Sequence, residues 1–225
     1  MDKLIAWSFS RWSDYELCPF KAKCKHILRL REPSSPALEN GTIVHRLAEQ
    51  HVRGDLAACP PELEKLSSDF EILRQQQAMV EQEWAFDQQW QKVAWFAPSA
   101  WLRIKVDVHF LHVTGAKRRQ RTTVVIVDHK TGKEHAEAHA LQRALYALGG
   151  FLVYPDAQEV HAHMWYLDAG TVSTDVFKVA QLEQLKRQWL QRTRAMLSDV
   201  RFAPRPGHYC RWCHYRKENG GPCVY

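Results

Sequence analysis

Two neighbouring stretches between Trp101 and Lys130 constrain this chain more than any other part of its sequence. Along residues 101–110, Leu102, Ile104, Val106, Val108 and Phe110 alternate with Arg103, Lys105, Asp107 and His109. That period of two predicts a strand with one buried and one polar face. A β-branched run follows at 122–127 and ends in Asp128-His129-Lys130. Residues two apart on a strand share a face, so Asp128 and Lys130 point the same way. A turn centred between Lys117 and Arg118, the middle of the basic segment 114–121, pairs the strands antiparallel and sets Asp107 roughly opposite Asp128. Two carboxylates and an ammonium are then expected at one sheet end. Carboxylates held together repel, and a hard divalent cation relieves that repulsion. A nearby lysine can orient water and offset charge on a phosphate. Taken alone, the pattern equally describes a surface salt bridge at the end of a hairpin.

The whole chain of 225 residues suits one domain with insertions or a small appended lobe. Its formal charge of +6 is compatible with a polyanionic partner without demanding one. No apolar run is long enough to cross a bilayer, and Met1-Asp2-Lys3-Leu4-Ile5 lacks a signal-peptide core, so an intracellular protein without membrane contact is expected. Thiols stay reduced there, and six cysteines then suggest metal binding or burial rather than disulfides.

Upstream, Ser8 or Ser10 can cap a short helix, and Pro19 would end it or start the next. Pro33, Ser34, Ser35 and Pro36 signal a loop. A helix is expected from about Asn40-Gly41, with His45 and Glu49 on one face and Ile43 and Leu47 on another. Residues 54–80 read as helical with Leu63, Leu66, Phe70 and Leu73 as core, and Cys59 as a small buried residue. Trp84 and Phe86 mark a first strand. Trp84, Trp90, Trp95 and Trp101 are expected to pack beneath the sheet rather than to stack on bases. Residues 133–152 form a helix with a stripe of Leu141, Leu145, Leu148 and Leu152, and Gln142 and Tyr146 lie one turn apart on a neighbouring face. A hairpin over 159–177 places His161 and His163 on one strand face without an evident third ligand, and a last helix over 181–197 buries Leu182, Leu185, Trp189 and Met196. The C-terminal segment carries Cys210-Arg211-Trp212-Cys213 and then Cys223 after Gly220-Gly221-Pro222. Two thiolates in Cys-x-x-Cys can grip one metal centre from a tight turn.

Asp107 with Asp128-x-Lys130 resembles the core signature of PD-(D/E)XK nucleases, and Asp128-His129-Lys130-Thr131-Gly132 is similar to the third motif of the RecB-like branch, which includes AddB-type and CRISPR-associated adaptation nucleases. Gly41-x-x-x-His45 resembles that branch's first motif, and Gln142-x-x-x-Tyr146 another. The resemblance implies a restriction-endonuclease-like α/β core, with a central mixed sheet flanked by helices. It implies a single domain over 1–225, with 81–180 as catalytic core and 8–31 and 202–225 as a metal-cluster lobe. Asp107, Asp128, Lys130, Gln142 and Tyr146 would be catalytic. His45, Asp107, Asp128 and the backbone carbonyl of His129 would hold Mg²⁺ or Mn²⁺, with Glu83 or Glu81 adding to the metal shell. Ser8, Ser10, Tyr15 and Cys18-Pro19 resemble the N-terminal segment of iron–sulfur members, which implies a [4Fe–4S] cluster on Cys18, Cys210, Cys213 and Cys223. Zinc on the same thiols, with His208 or His214 as substitutes, is the alternative; the long gap before Cys223 departs from the family spacing, and Cys24 has no counterpart. The implied activity is hydrolysis of DNA phosphodiesters by an exonuclease on single-stranded DNA or duplex ends, in recombination, repair or phage DNA processing and with a partner protein of such a pathway. A flap endonuclease and a non-catalytic DNA- or partner-binding module on the same fold are the other readings.

Overall fold

The computed structural model describes residues 3–116 and 119–225. In chain order the regular elements are α1 (Phe9–Leu17), α2 (Pro19–Ala22), α3 (Pro36–Arg53), α4 (Ser67–Gln75), β1 (Met79–Phe86), β2 (Lys92–Val93), β3 (Leu102–Thr114), β4 (Arg121–Lys130), α5 (Ala136–Val153), β5 (Glu159–Tyr166), β6 (Thr171–Lys178) and α6 (Leu182–Ser198). They form two compact units, one of Ser35–Lys186 and one of Met1–Ser34 with Arg187–Tyr225.

The larger unit is built on a six-stranded sheet in the order β2-β1-β3-β4-β5-β6. Only β4 and β5 run parallel. Parallel neighbours need a long crossover, and α5 supplies it. The sheet is mixed and flanked by helices, as expected for a restriction-endonuclease-like core. One face is covered by α3 and α4, whose Val44, Ala48, Val52, Phe70 and Leu73 form a core with Val80, Val108, Val127 and Trp165 of the strands. On the other face α5 lies close enough that a methyl on Gly149 would come within 2.7 Å of Ile104 Cδ1. Small residues allow that approach, so the helix carries glycines where its backbone meets the sheet.

Several boundaries differ from those the sequence suggested. Helix α3 begins at Pro36, not near Gly41, because Ser35 caps it and proline suits the first helical position. Its buried stripe is Val44, Ala48 and Val52, while Ile43 is exposed. Only Ser67–Gln75 of the 54–80 segment is α-helical; Pro61–Leu66 is a 3₁₀ stretch and Met79 already opens β1. Leu141 and Leu152 are only half-buried, leaving Leu145 and Leu148 as the buried leucines of α5, and Leu182 likewise gives way to Thr193 in α6. Cys59 is half-buried. Trp84 and Trp101 are buried, as expected for packing, whereas Trp90 and Trp95 are only half-buried. The turn expected at Lys117 and Arg118 lies outside the described residues.

Strands β1 and β3 change faces part-way along. Val80 and Val108, which are paired, belong to the α3–α4 side. Trp84 and Ile104, also paired and an even number of residues away, sit against Gly149 of α5. An even step keeps a side chain on one face of a regular strand, so the switch lies between. It falls at Glu81, whose φ of 52° is left-handed. The register continues to set Glu81 opposite Asp107.

The smaller unit has an aromatic core. Trp7 stacks on Trp189 with centroids 5.5 Å apart, and Trp12 meets Trp189 edge-on at 5.3 Å. Ser8 caps α1 by accepting from the Arg11 N–H, and Pro19 starts α2, so Cys18 is held in the kink between them. Asp14 on α1 collects His26, Lys21 and Lys25 at 2.9, 3.1 and 3.2 Å.

Candidate active site and cysteine-lined cavity

The β3–β4 ladder runs from Thr114 opposite Arg121 to Val108 opposite Val127 and then stops. Beyond that point β3 stays paired with β1, while β4 stays paired with β5 through Lys130. The sheet therefore forks, and the next residues in register are Asp107 and Asp128. A main-chain donor on the β3 side of β4 is left over at the fork, and Asp107 Oδ2 accepts it: His129 N–H lies 2.8 Å away.

Each carboxylate has its own surroundings. Asp107 Oδ2 lies 3.3 Å from His45 Nδ1 of α3 and 4.0 Å from His129 Nδ1. Burial opposes its ionisation, yet the hydrogen bond from His45, the charges of His129 and His45, and the His129 N–H bring its pKa down to about 2. Asp128 is buried and points to the α5 side. Its Oδ1 accepts from the Tyr146 hydroxyl and, at 3.3 Å, from Gln142 Nε2, which also donates to the Tyr146 oxygen at 2.7 Å. Its Oδ2 faces the Lys130 ammonium. Burial pushes the Asp128 carboxyl upward; Lys130 opposes this and the charge of Asp107 adds to it. Burial, Asp128 and Asp107 together hold Tyr146 well above the ordinary phenol range, so it stays a donor.

The residues singled out for the fork fall into two groups, and the cluster of donor atoms within 4.8 Å of one another leaves out Asp128. Asp107 and His45 meet on one side, and Asp128, Lys130, Gln142 and Tyr146 on the other. The imidazole of His129 belongs to the first group, with donor atoms of His45, Asp107 and His129 all within 4.8 Å of one another. The sequence reading used only the backbone of His129; strand alternation, which turns residue 129 away from 128 and toward α3, carries the signal for its ring. Burial lowers the His129 pKa to about 4, so the ring is neutral and able to donate a lone pair. Its Nε2 is buried with no hydrogen-bond partner, so it lacks the outer acceptor that normally steadies a metal-bound imidazole. A cleft of about 570 Å³ opens beside the fork, lined by His45, Arg46, Glu81, Lys105, Asp107 and Thr131. Glu81, not Glu83, is the glutamate of that cleft, because its left-handed backbone redirects the strand there.

The Gly41-x-x-x-His45 spacing has a steric reason. A methyl on Gly41 would lie 3.1 Å from Thr131 Oγ1, so glycine lets α3 approach the end of β4 and delivers His45 to Asp107 one turn later. His161 and His163 sit on the far side of β5 from Ala162, with rings 6.5 Å apart; His161 bonds Glu159 and His163 bonds Thr174. No group of three donors forms around them among the described residues.

In the smaller unit, Cys18, Cys210, Cys213 and Cys223 all line one cavity of about 300 Å³. The long gap before Cys223 is folded back: Cys223 N–H donates to the Tyr215 carbonyl at 2.9 Å, and Arg216 and Cys223 form a parallel bridge. Gly221 makes this return possible, since any Cβ there would lie 2.2 Å from the Tyr215 carbonyl carbon. Cys18 Sγ accepts from Arg205 N–H at 3.4 Å, and Cys210 Sγ from Gly207 N–H at 3.3 Å. Cys24 is fully buried and does not line the cavity. Burial, then the neighbouring Cys223, Cys213 and Cys18, push its thiol up to about 11. His214 lines the cavity; His208 does not.

The forked α/β sheet gathers acidic, imidazole and ammonium groups at one end, a donor set that could hold a metal ion. The model of the PD-(D/E)XK nuclease superfamily matches residues 6–217, and the chain belongs to that superfamily. Among solved structures, a "putative exonuclease" from Eubacterium rectale is similar in fold: TM-score 0.55 at 13% identity, covering 98% of this chain and 89% of that one. The structure of SSO0001 overlaps less well, with TM-score 0.40 at 12% identity over 96% of this chain and 86% of that one. No curated protein sequence matches the chain. No helix among the described residues is long and apolar enough to cross a membrane.

Proposed function

We propose that this protein is a divalent-metal-dependent deoxyribonuclease that hydrolyses phosphodiester bonds and acts as an exonuclease in DNA recombination, repair or phage DNA processing. The observation that carries the reading is the fork itself: Asp107 and Asp128 are the next residues in register past the last β3–β4 pair, and Asp128 stands beside Lys130. The donor set fits a cation: Asp107 is held ionised, and His45 and His129 stand within reach of the same point. Asp107, Asp128, His45 and the backbone carbonyl of His129 would hold Mg²⁺ or Mn²⁺, with imidazole in the set favouring Mn²⁺. The ion, when bound, lowers the pKa of water and offsets charge on the phosphate.

The chain's own groups do the rest. The Lys130 ammonium, beside Asp128 Oδ2, orients the attacking water and stabilises the negative charge that grows on the phosphoryl oxygens. Tyr146 and Gln142 fix the rotamer of Asp128 through Oδ1, leaving Oδ2 toward Lys130. The exonuclease assignment rests on family likeness and on the name carried by the Eubacterium rectale protein.

The second component is a [4Fe–4S] cluster on Cys18, Cys210, Cys213 and Cys223, which would tie the chain's two end segments together. Support comes from the cavity that the four thiols share. Zinc on the same thiols is the alternative reading.

End-labelled single- and double-stranded oligonucleotides and closed circular DNA, incubated with Mn²⁺, test the nuclease reading. Expected are stepwise products from labelled ends, an intact circle, and no reaction with Asp128→Ala. Equal cleavage by wild type and Asp128→Ala, or none by either, overturns it.

A further inference from the structure

Lys105 has no part in the motifs that identify the site, yet its position is not that of an ordinary surface lysine. Its cross-strand partner in the β1–β3 ladder is Glu83. The acid directly opposite and those on the diagonal are both within reach of so long a side chain. Of these the Lys105 ammonium is on Glu81, two residues along and toward the fork. Glu81 reaches it from a left-handed backbone position inside a strand, φ 52°, which a side chain other than glycine rarely occupies. Both side chains line the cleft that holds His45 and Asp107. Lys105 and Asp107 are two apart on β3, and the Lys105 side chain is 54% exposed, so its ammonium is open to the cleft. Three N–H donors are available, and Glu81 occupies one direction only.

We propose that Lys105 is a substrate-contacting residue: it binds a backbone phosphate of the nucleic acid next to the scissile one, and Glu81 holds it in place. The inference rests on the nuclease reading and deepens it, by naming a second cation in the cleft. Lys130 faces Asp128 on the α5 side of the fork, whereas Lys105 stands on the α3 side. Two ammonium groups on either side of the acidic pair suit a strand whose successive phosphates cross the fork. Glu81 is a positioning residue here, acting through Lys105.

The test is binding, measured apart from cleavage. Fluorescence anisotropy with a labelled single-stranded oligonucleotide, in Ca²⁺ and across a KCl series, compares wild type with Lys105→Ala, Lys105→Arg and Glu81→Gln. A lost phosphate contact should lower the slope of log K against log salt by about 0.7 for a single strand, and weaken binding about tenfold. Lys105→Arg should restore most of both, and Glu81→Gln should weaken binding less than Lys105→Ala. An unchanged slope and affinity in Lys105→Ala overturns the proposal. So does a shift in the Mn²⁺ concentration that half-saturates Glu81→Gln with DNA affinity unaltered, which would make the pair part of the metal site. Because the assay needs no turnover, an inactive wild type would sink the nuclease reading while leaving this measurement intact.

Discussion

Asp107 Oδ2 accepts the main-chain N–H of His129 at 2.8 Å, just past the last β3–β4 pair. One carboxylate thus does two jobs: it closes the end of an interrupted ladder and offers negative charge at the fork. The two can be separated. Asp107→Asn keeps an acceptor for the N–H and should unfold within about 1 kcal/mol of wild type, whereas Asp107→Ala orphans a buried donor and should cost about 1–3 kcal/mol. Both should lose the rise in Tm that Mn²⁺ gives the wild type, read by thermal denaturation with and without the ion.

Tyr146 and Gln142 share Oδ1 of Asp128. Tyr146→Phe removes the O–H donor and takes away an acceptor from Gln142, but leaves the ring that fills the core. Cleavage should fall about 10- to 100-fold with the folded state intact. Gln142→Ala should be milder. Single-turnover rates with a labelled oligonucleotide check both, and a Tyr146→Phe rate equal to wild type would remove these residues from the site.

Gly41 stands 3.1 Å, measured from an added methyl, from Thr131 Oγ1. Gly41→Ala should push α3 away from the end of β4 and pull His45 off Asp107, weakening Mn²⁺ binding more than stability. Pairing it with Thr131→Ala should recover much of the loss. A Gly41→Ala protein with wild-type Mn²⁺ affinity by calorimetry would refute the steric argument.

His109 is buried beside Tyr154, whose hydroxyl lies 2.6 Å from Nε2, and burial followed by the charge of Lys92 lowers its pKa to about 4. His139, buried against Tyr166, is likewise lowered to about 4, first by burial and then by Lys130. The unfolded chain takes up these protons near pH 6.5, the folded one only near pH 4. Stability contributed by the neutral rings is complete above about pH 6.5 and is lost as pH falls toward 4, on the order of 1–3 kcal/mol for each. Urea unfolding at pH 7.5 and 4.5 should show the drop, and His109→Gln should shrink it.

Anaerobically purified protein should contain iron and acid-labile sulfide in equal amounts. Replacing Cys18, Cys210, Cys213 or Cys223 by serine should remove both, while Cys24→Ala should keep them, because Cys24 does not line the cavity. Zinc bound in place of iron would decide for the alternative.

The alternation from Leu102 to Phe110 and the β-branched run before Asp128 were enough to mark strands β3 and β4, since both signals are local. The register rested on where the turn was centred, and the single buried face was not kept, because β3 changes faces between Ile104 and Val108 and His109 is buried. Helical spacing put Gln142 and Tyr146 on one face of α5, whereas their place beside Asp128 was implied by the family resemblance and is seen in their hydrogen bonds to Oδ1. Other features had no local signature. Nothing about Glu81 or its neighbours announces a left-handed residue inside a strand, and Glu83 read equally well as the acid of the cleft. Ser35-Pro36 reads as a loop until a helix is seen to start there.

What the amino-acid order alone determined, then, was where most strands and helices lie, because period and spacing are properties of consecutive residues, and, through the motifs of the family it resembles, which acids, amine and histidine belong at one end of the sheet. Only the tertiary structure decided that the sheet forks between Asp107 and Asp128, that the ring of His129 joins them, and that Cys223 folds back to share a cavity with Cys18. Those depend on where ladders stop and backbones approach. Such contacts join residues far apart in the chain, and their energies come from packing and burial that no stretch of sequence contains by itself.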